Sequence, residues 1–156
     1  MNHKHVPGGP PLPAGRLFAG LPPPCIPLPG CPLLARAVPA GFPSPAADFT
    51  EGRISLDEHL IEHQEATFFV RVKGDSMTGF GIHDGDLLVV DRALAAADRS
   101  IVVAVVDGEF TVKQFCRLPE GCLLRSGNPG HRDILVGADQ DFAVWGIVTS
   151  SIHRLR

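Results

Sequence analysis

The 156-residue sequence has no excess of positive charge: 17 acidic residues against 14 lysines and arginines give a formal net charge of −3. Proteins that bind nucleic acid tightly by themselves usually carry a basic patch, so direct strong nucleic-acid binding is not expected. The sequence also has no run of 18 apolar residues, which argues against a transmembrane helix. Prolines interrupt any signal-peptide hydrophobic region near the N-terminus, so we expect a cytoplasmic protein without membrane attachment.

The four cysteines lack the short spacing that is typical of structural zinc sites. They form two Cys-x5-Cys pairs, Cys25 with Cys31 and Cys116 with Cys122, and zinc ribbons use closer pairs. The Asp-Gly-Asp sequence at residues 84–86 is compatible with a turn or a weak cation loop, but the further spaced carboxylates of a calcium loop are missing. The sequence therefore predicts no metal site and no cofactor.

Proline is scarce in most of the chain but dense at its beginning. Thirteen of the 15 prolines lie within the first 45 residues. Such a segment lacks amide donors at its prolines and has no sustained apolar period, so it favours extended or disordered conformations. We predict two parts: a Pro-rich N-terminal arm over residues 1–40 and a β-rich domain over residues 41–156.

Beyond the arm, short apolar segments separated by turn residues predict a compact, mainly β fold. One short helix is expected over residues 55–63, with Ser55 and Glu58 as a capping box. The predicted strands are 66–73, 86–91, 101–106, 109–116, 122–125 and 142–153. The strand Ile101–Val106 is apolar on both alternations, which is typical of a strand covered on both faces. Asp107-Gly108 after it predicts a tight hairpin.

Two residues are candidates for chemistry, although each has a simpler explanation when it is considered alone. Lys113 lies in the second hairpin strand beside a wholly apolar strand, where desolvation disfavours the charged form. Alone, it is better explained as a lysine whose stem packs while its ammonium group reaches water. Ser76 lies among four glycines within 12 residues, a backbone that can direct N–H groups at an oxyanion. Alone, it is better explained as a solvent-facing serine in a flexible connection.

Several separated motifs, taken together, resemble the LexA/UmuD family of self-cleaving Ser-Lys peptidases, and in particular its UmuD type. The motifs are Gly74-Asp75-Ser76-Met77, Gly81-Ile82-x-Asp84-Gly85-Asp86 and Val105-x-Asp107-Gly108-Glu109-x-Thr111-Val112-Lys113, with further agreement at residues 41–48 and 52–56. The agreement covers residues 40–156 and keeps the family's order of motifs. No Ser-His-Asp triad or Gly-x-Ser-x-Gly motif competes with it.

The resemblance implies a catalytic pair and a substrate on the same chain. Ser76 would be the nucleophile that attacks the Ala40–Gly41 bond, and neutral Lys113 would act as general base and then as general acid. The backbone N–H groups of Asp75 and Ser76 would form the oxyanion hole. Self-cleavage would remove the Pro-rich arm.

The resemblance also implies partners. The first 40 residues contain no helix-turn-helix pattern, which indicates the UmuD type rather than a repressor. A UmuD-type protein is expected to form a homodimer, to be activated by RecA filaments on single-stranded DNA in the SOS response, and to serve a UmuC-like Y-family translesion polymerase. The arm is longer and richer in proline than is usual for that type, and Pro39 cannot donate a backbone hydrogen bond beside the scissile bond.

Two other functions fit parts of the pattern. The β domain alone could serve as a non-catalytic dimeric module that binds a polymerase whether or not the arm is cut. A signal-peptidase-like protease shares the Ser-Lys pair, but the missing membrane anchor argues against it.

Overall fold

The computed structural model describes residues 30–34, 40, 50–137 and 139–156. The strands are β1 (Cys31–Leu34), β2 (Thr50–Ile54), β3 (Thr67–Arg71), β4 (Leu87–Asp91), β5 (Ile101–Val106), β6 (Glu109–Arg117), β7 (Cys122–Arg125), β8 (Ile134–Val136) and β9 (Phe142–Ile152). The helix α1 spans Leu56–Leu60, and single 3₁₀ turns lie at Gln64–Ala66 and Thr78–Phe80. The predicted mainly β fold is confirmed. Within these ranges, no helix is long and apolar enough to cross a membrane.

Seven of the strands form one antiparallel sheet in the order β3-β4-β9-β5-β6-β7-β8. Strand β9, the longest with 11 residues, lies inside the sheet and pairs with β4 on one edge and with β5 on the other. The hairpin between β5 and β6 turns at Asp107 and Gly108, whose φ angles are +50° and +83°. Both angles are positive, as the predicted tight turn requires.

Strand β5 separates two groups of buried apolar side chains. Val102 and Ala104 pack into one group with Leu124 and Ile147, whereas Val103 points into the other. This burial on both faces confirms what the continuous apolar sequence of the strand predicted. The second group contains Met77, Ile82, Leu88, Val90 and Val103, so the residue that follows Ser76 is part of the core.

The predicted strands agree with the observed ones to within two residues at each end, but three short strands were not predicted. Strand β8 has only three residues, and β2 contains a glycine and two charged residues, so neither has a clear apolar period. Strand β1 lies inside the predicted arm and pairs with β2. Residues 1–29, 35–39 and 41–49, which hold most of the arm and the first residues of the predicted domain, lie outside the described residues.

The helix is shorter than predicted, and the capping box is wrong. It ends at Leu60 because Ile61 has an extended backbone, with φ −115° and ψ 106°. Ser55 has the extended backbone of an N-cap residue, but its side chain makes no capping hydrogen bond. Leu56 is 62% exposed. The first turn of the helix is therefore not stabilised by packing of this side chain, and a short helix without such packing is only marginally stable.

Candidate active site

The loop between β3 and β4 carries Ser76. It begins at Gly74, which has a φ of +94° and donates its N–H to Asp84 Oδ1 at 2.6 Å. Beyond the serine, the Met77 carbonyl accepts hydrogen bonds from Phe80 N–H and Ile82 N–H, and the Met77 side chain is only 2% exposed. The serine is thus half-buried and held between a buried neighbour and a fixed turn.

Lys113 reaches this serine from the neighbouring hairpin. It lies in β6 opposite Val102 of β5, and only 7% of its surface is exposed. Its Nζ lies 2.9 Å from Ser76 Oγ and 3.2 Å from the Val112 carbonyl oxygen. The amine of Lys113 therefore contacts protein groups rather than extending into water.

The surroundings of Lys113 favour the neutral amine. Burial lowers the pKa of Lys113, and the negative charge of Asp133 opposes this effect by raising it. The effect of burial is the larger of the two, because desolvation disfavours the ammonium form. A neutral amine at 2.9 Å from a hydroxyl can accept the hydroxyl proton.

The backbone around Ser76 is held through its carbonyl groups. The Ser76 carbonyl accepts hydrogen bonds from Gly127 N–H at 2.8 Å and Asn128 N–H at 3.0 Å, and the Asp75 carbonyl accepts one from Thr78 N–H. Among the backbone–backbone hydrogen bonds of the described turns and loops, Ser76 N–H is not a donor, while the Asp75 N–H contributes to the lowered pKa of its own carboxyl group. These are the two groups that the family resemblance assigns to the oxyanion hole.

A second loop, residues 126–133, holds the serine loop from the side. Besides its contacts to the Ser76 carbonyl, it places His131 Nε2 at 2.6 Å from Asp75 Oδ1 and Asn128 Nδ2 at 3.2 Å from Asp75 Oδ2. The hydrogen bond with His131 is the main reason that the pKa of Asp75 is lowered. Sequence reasoning missed these two residues. The Gly-Asn-Pro-Gly sequence at 127–130 indicates a turn, but it does not reveal what that turn contacts.

An open, mainly apolar cleft of about 440 Å³ adjoins Ser76. One wall is the end of β3 and the loop after it, and the other includes the first residues of β6 and Trp145. The Trp145 ring meets Phe110 edge-on, with centroids 5.7 Å apart, and Phe110 is 66% exposed. The cleft offers an extended peptide an apolar surface next to the hydroxyl group.

The predicted cleavage site is described only on one side. Ala40 is exposed. Gly41 and Pro39 lie outside the described residues. The structure thus brings together Ser76 and Lys113 among the predicted site residues, with Asp75 next to them.

Comparisons with known proteins agree with this geometry. Residues 32–149 match the family described as Peptidase S24-like. Protein SamA of Salmonella typhimurium is 45% identical over 125 residues, which are 80% of this chain and 86% of SamA. Protein MucA of Escherichia coli is 42% identical over 125 residues, covering 78% and 83% of the two chains. LexA repressor 1 of Geobacter sulfurreducens is 40% identical over 122 residues, covering 78% and 59%. The predicted relation to the LexA/UmuD peptidases is confirmed.

Proposed function

Because the chain belongs to the Peptidase S24-like family, a family of peptidases, we propose that it is a UmuD-type serine peptidase that cuts its own Ala40–Gly41 bond. The observation that carries the proposal is the contact of 2.9 Å between Lys113 Nζ and Ser76 Oγ. These two groups lie 37 positions apart in the sequence, and the lysine amine is buried with a lowered pKa. A buried lysine beside a serine has the arrangement of a base with its nucleophile.

In the first step, the neutral amine of Lys113 takes the proton of the Ser76 hydroxyl group. The oxygen attacks the carbonyl carbon of Ala40, and the N–H groups of Asp75 and Ser76 stabilise the oxyanion. Each such donor contributes about 3 kcal/mol to the transition state. Collapse of the intermediate breaks the bond to Gly41, whose leaving amine receives from Lys113 the proton that came from Ser76. The products are an ester between Ser76 and Ala40 and a chain that begins at Gly41.

In the second step, water hydrolyses the ester. Lys113, neutral again, takes a proton from the water, and the resulting hydroxide attacks the same carbonyl carbon. The proton then passes to Ser76 Oγ as the ester bond breaks. The serine is regenerated, and the arm leaves with a carboxyl group at Ala40, which releases its proton to water and becomes a carboxylate.

We place this activity in the SOS response, in the cytoplasm. The relation to SamA and MucA and to a LexA repressor supports a UmuD-type role. In that role, RecA filaments on single-stranded DNA stimulate cleavage, and the trimmed chain forms a homodimer that serves as a subunit of a UmuC-like translesion polymerase. The net charge of −3 agrees with contact to DNA through these partners rather than directly.

Self-cleavage of the purified full-length chain at alkaline pH tests the catalytic pair. High pH deprotonates Lys113, so a fragment whose N-terminal residue is Gly41 should accumulate with time, identified by N-terminal sequencing. Ser76→Ala removes the nucleophile, and Lys113→Arg keeps a cation that does not deprotonate in this range. We expect neither variant to produce the fragment. Ser150→Ala in β9 is a control that should cleave as the wild type does.

Fragment formation by Ser76→Ala or Lys113→Arg at the wild-type rate would contradict the assignment of the pair. The role as a non-catalytic module is tested separately in cells. If the uncleaved Ser76→Ala chain supported damage-induced mutagenesis as well as a chain of residues 41–156, binding without cleavage would explain the function better.

A further inference from the structure

Two histidines and an aspartate meet where the turn before β4 contacts the end of β9. The residues are His83, Asp86 and His153, and one potential ligand atom from each lies within 4.8 Å of the others. None of the three lines the cleft beside Ser76. The proposed peptidase chemistry therefore gives them no role.

Asp86 is a buried carboxylate that pairs with both histidines. Its side chain is 1% exposed, and its pKa is lowered, first by the hydrogen bond from the His83 backbone N–H. Ser151 Oγ donates a second bond at 3.1 Å. In the described part of the chain, its ion-pair partners are His153 Nδ1 at 2.5 Å and His83 Nδ1 at 3.8 Å. The buried carboxylate therefore faces two imidazole rings.

The two imidazoles are arranged so that an ion from solvent can reach them. The side chains of His83 and His153 are 48% and 45% exposed. Their rings face each other with centroids 4.9 Å apart and planes tilted by 49°. Imidazole nitrogens and a carboxylate oxygen are the ligand types that Zn²⁺ and similar ions prefer.

We propose that His83, Asp86 and His153 bind one divalent transition-metal ion of the Zn²⁺ type, with water as the remaining ligand. Bonds of about 2.0 Å to a tetrahedral ion place ligand atoms about 3.3 Å apart. The short contact between His153 Nδ1 and Asp86 Oδ1 therefore opens on binding, and the imidazole proton moves to Nε2. The half-exposed His153 ring can make this small shift without disturbing the core.

The ion would join two elements that border the serine loop. His83 and Asp86 end the loop that carries Ser76, and Asp84 between them accepts the Gly74 N–H. His153 follows β9, an interior strand of the sheet that pairs with β4 and β5. A metal bond between these parts stabilises the folded chain, because the unfolded chain does not hold the three ligands together.

Calorimetric titration of the full-length chain with ZnCl₂ tests this site. We expect the His83→Ala and His153→Ala variants each to lose one bound ion per chain, or to bind it about a hundredfold more weakly. His63→Ala is the matched control, since His63 also pairs with a carboxylate, Asp91 at 2.6 Å, but among the described residues it is not part of a three-residue group with metal-ligand spacing. This variant should bind zinc as the wild type does.

A thermal melt with and without ZnCl₂ gives a second measurement that does not depend on cleavage. Zinc should raise the melting temperature of the wild type and of His63→Ala, but not that of His83→Ala or His153→Ala. Circular dichroism of the metal-free variants checks that they fold. Absence of zinc binding by the wild type, or equal binding by all four chains, would overturn the proposal.

Discussion

At the scale of single residues, the reactivity of Lys113 depends on two opposing effects on its pKa. Burial lowers it, and Asp133 raises it. The carboxylate of Asp133 also accepts the Ser126 N–H at 2.8 Å, so it is fixed in the loop that holds the serine segment. Because only the neutral amine can take the Ser76 proton, the balance between these effects sets the pH at which cleavage begins.

Replacing Asp133 with Asn should shift the pH dependence of self-cleavage to lower pH. The amide keeps an oxygen that can accept the Ser126 N–H, but it removes the negative charge that stabilises the ammonium form of Lys113. The pKa of Lys113 falls, and a larger fraction of the chain has a neutral amine at any given pH. The rate of fragment formation, measured across a series of alkaline buffers, should rise earlier than in the wild type.

Asp98→Asn is a matched control for this shift. Asp98 also accepts one backbone N–H at 2.8 Å, from Arg117, and it is not among the groups that affect the pKa of Lys113. Its pH profile should coincide with that of the wild type. A profile of Asp133→Asn that is unchanged, or moved to higher pH, would show that Asp133 does not control the amine.

The sequence could predict the environment of Lys113 but not its contact with Ser76. Strand alternation and the hairpin turn predicted that Lys113 lies beside an apolar strand. The low exposure of Lys113 in the structure agrees with this prediction. The contact depends on how the serine loop packs against the sheet, which no local pattern specifies. At the level of sequence, only the family resemblance connects the two residues. His131 and Asn128 were missed for the same reason, since their contacts to Asp75 lie across two loops.

At the scale of structural elements, the serine loop and the 126–133 loop pack backbone to backbone. A Cβ atom built on Gly79 would lie 1.9 Å from the Gly127 carbonyl oxygen, a distance that requires one loop to move. The same Gly127 donates its N–H to the Ser76 carbonyl at 2.8 Å. Displacement of Gly127 is therefore transmitted to the nucleophile.

Gly79→Ala should slow self-cleavage strongly while the seven-stranded sheet stays folded. A displacement of about 1 Å at a reacting group can reduce the rate by about a hundredfold. Cleavage at alkaline pH measures the rate, and circular dichroism measures the fold. Gly137→Ala is the control, because a Cβ atom there would meet nothing within 4 Å. Wild-type cleavage by Gly79→Ala would mean that the packing of these loops does not position Ser76.

The elements that the sequence predicted well are those whose pattern is local. The hairpin of β5 and β6 follows from an apolar strand and an Asp-Gly turn, and both φ angles agree. The capping box failed because a side-chain bond at Ser55 needs a stable first turn, and this helix has only five residues. Strand β2 is defined by its pairing with β1 rather than by its own composition.

At the scale of the whole molecule, the proposed cut separates a strand from its partner. Strand β1 lies before Ala40, and β2 lies after it. The two strands pair from Cys31 with Ile54 to Leu34 with Thr50, with a register shift between Leu33 and Leu34. They form a two-stranded sheet that is separate from the seven-stranded one. Pro32 has no N–H to contribute, and Leu33 is 44% exposed. An isolated pair of strands as short as this is at best marginally stable.

Once the chain is cut, the arm should therefore dissociate and leave β2 unpaired. Hydrogen exchange of the Ser76→Ala chain, which keeps its arm, can be compared with that of a chain of residues 41–156. We expect the backbone amides of β2 to exchange faster without the arm, since β1 no longer accepts their hydrogen bonds. The amides of β5, which is paired on both edges, serve as the internal control and should exchange equally in both chains. Faster exchange in β5 as well would mean that the arm stabilises the main sheet, and that cleavage weakens the fold instead of only uncovering β2.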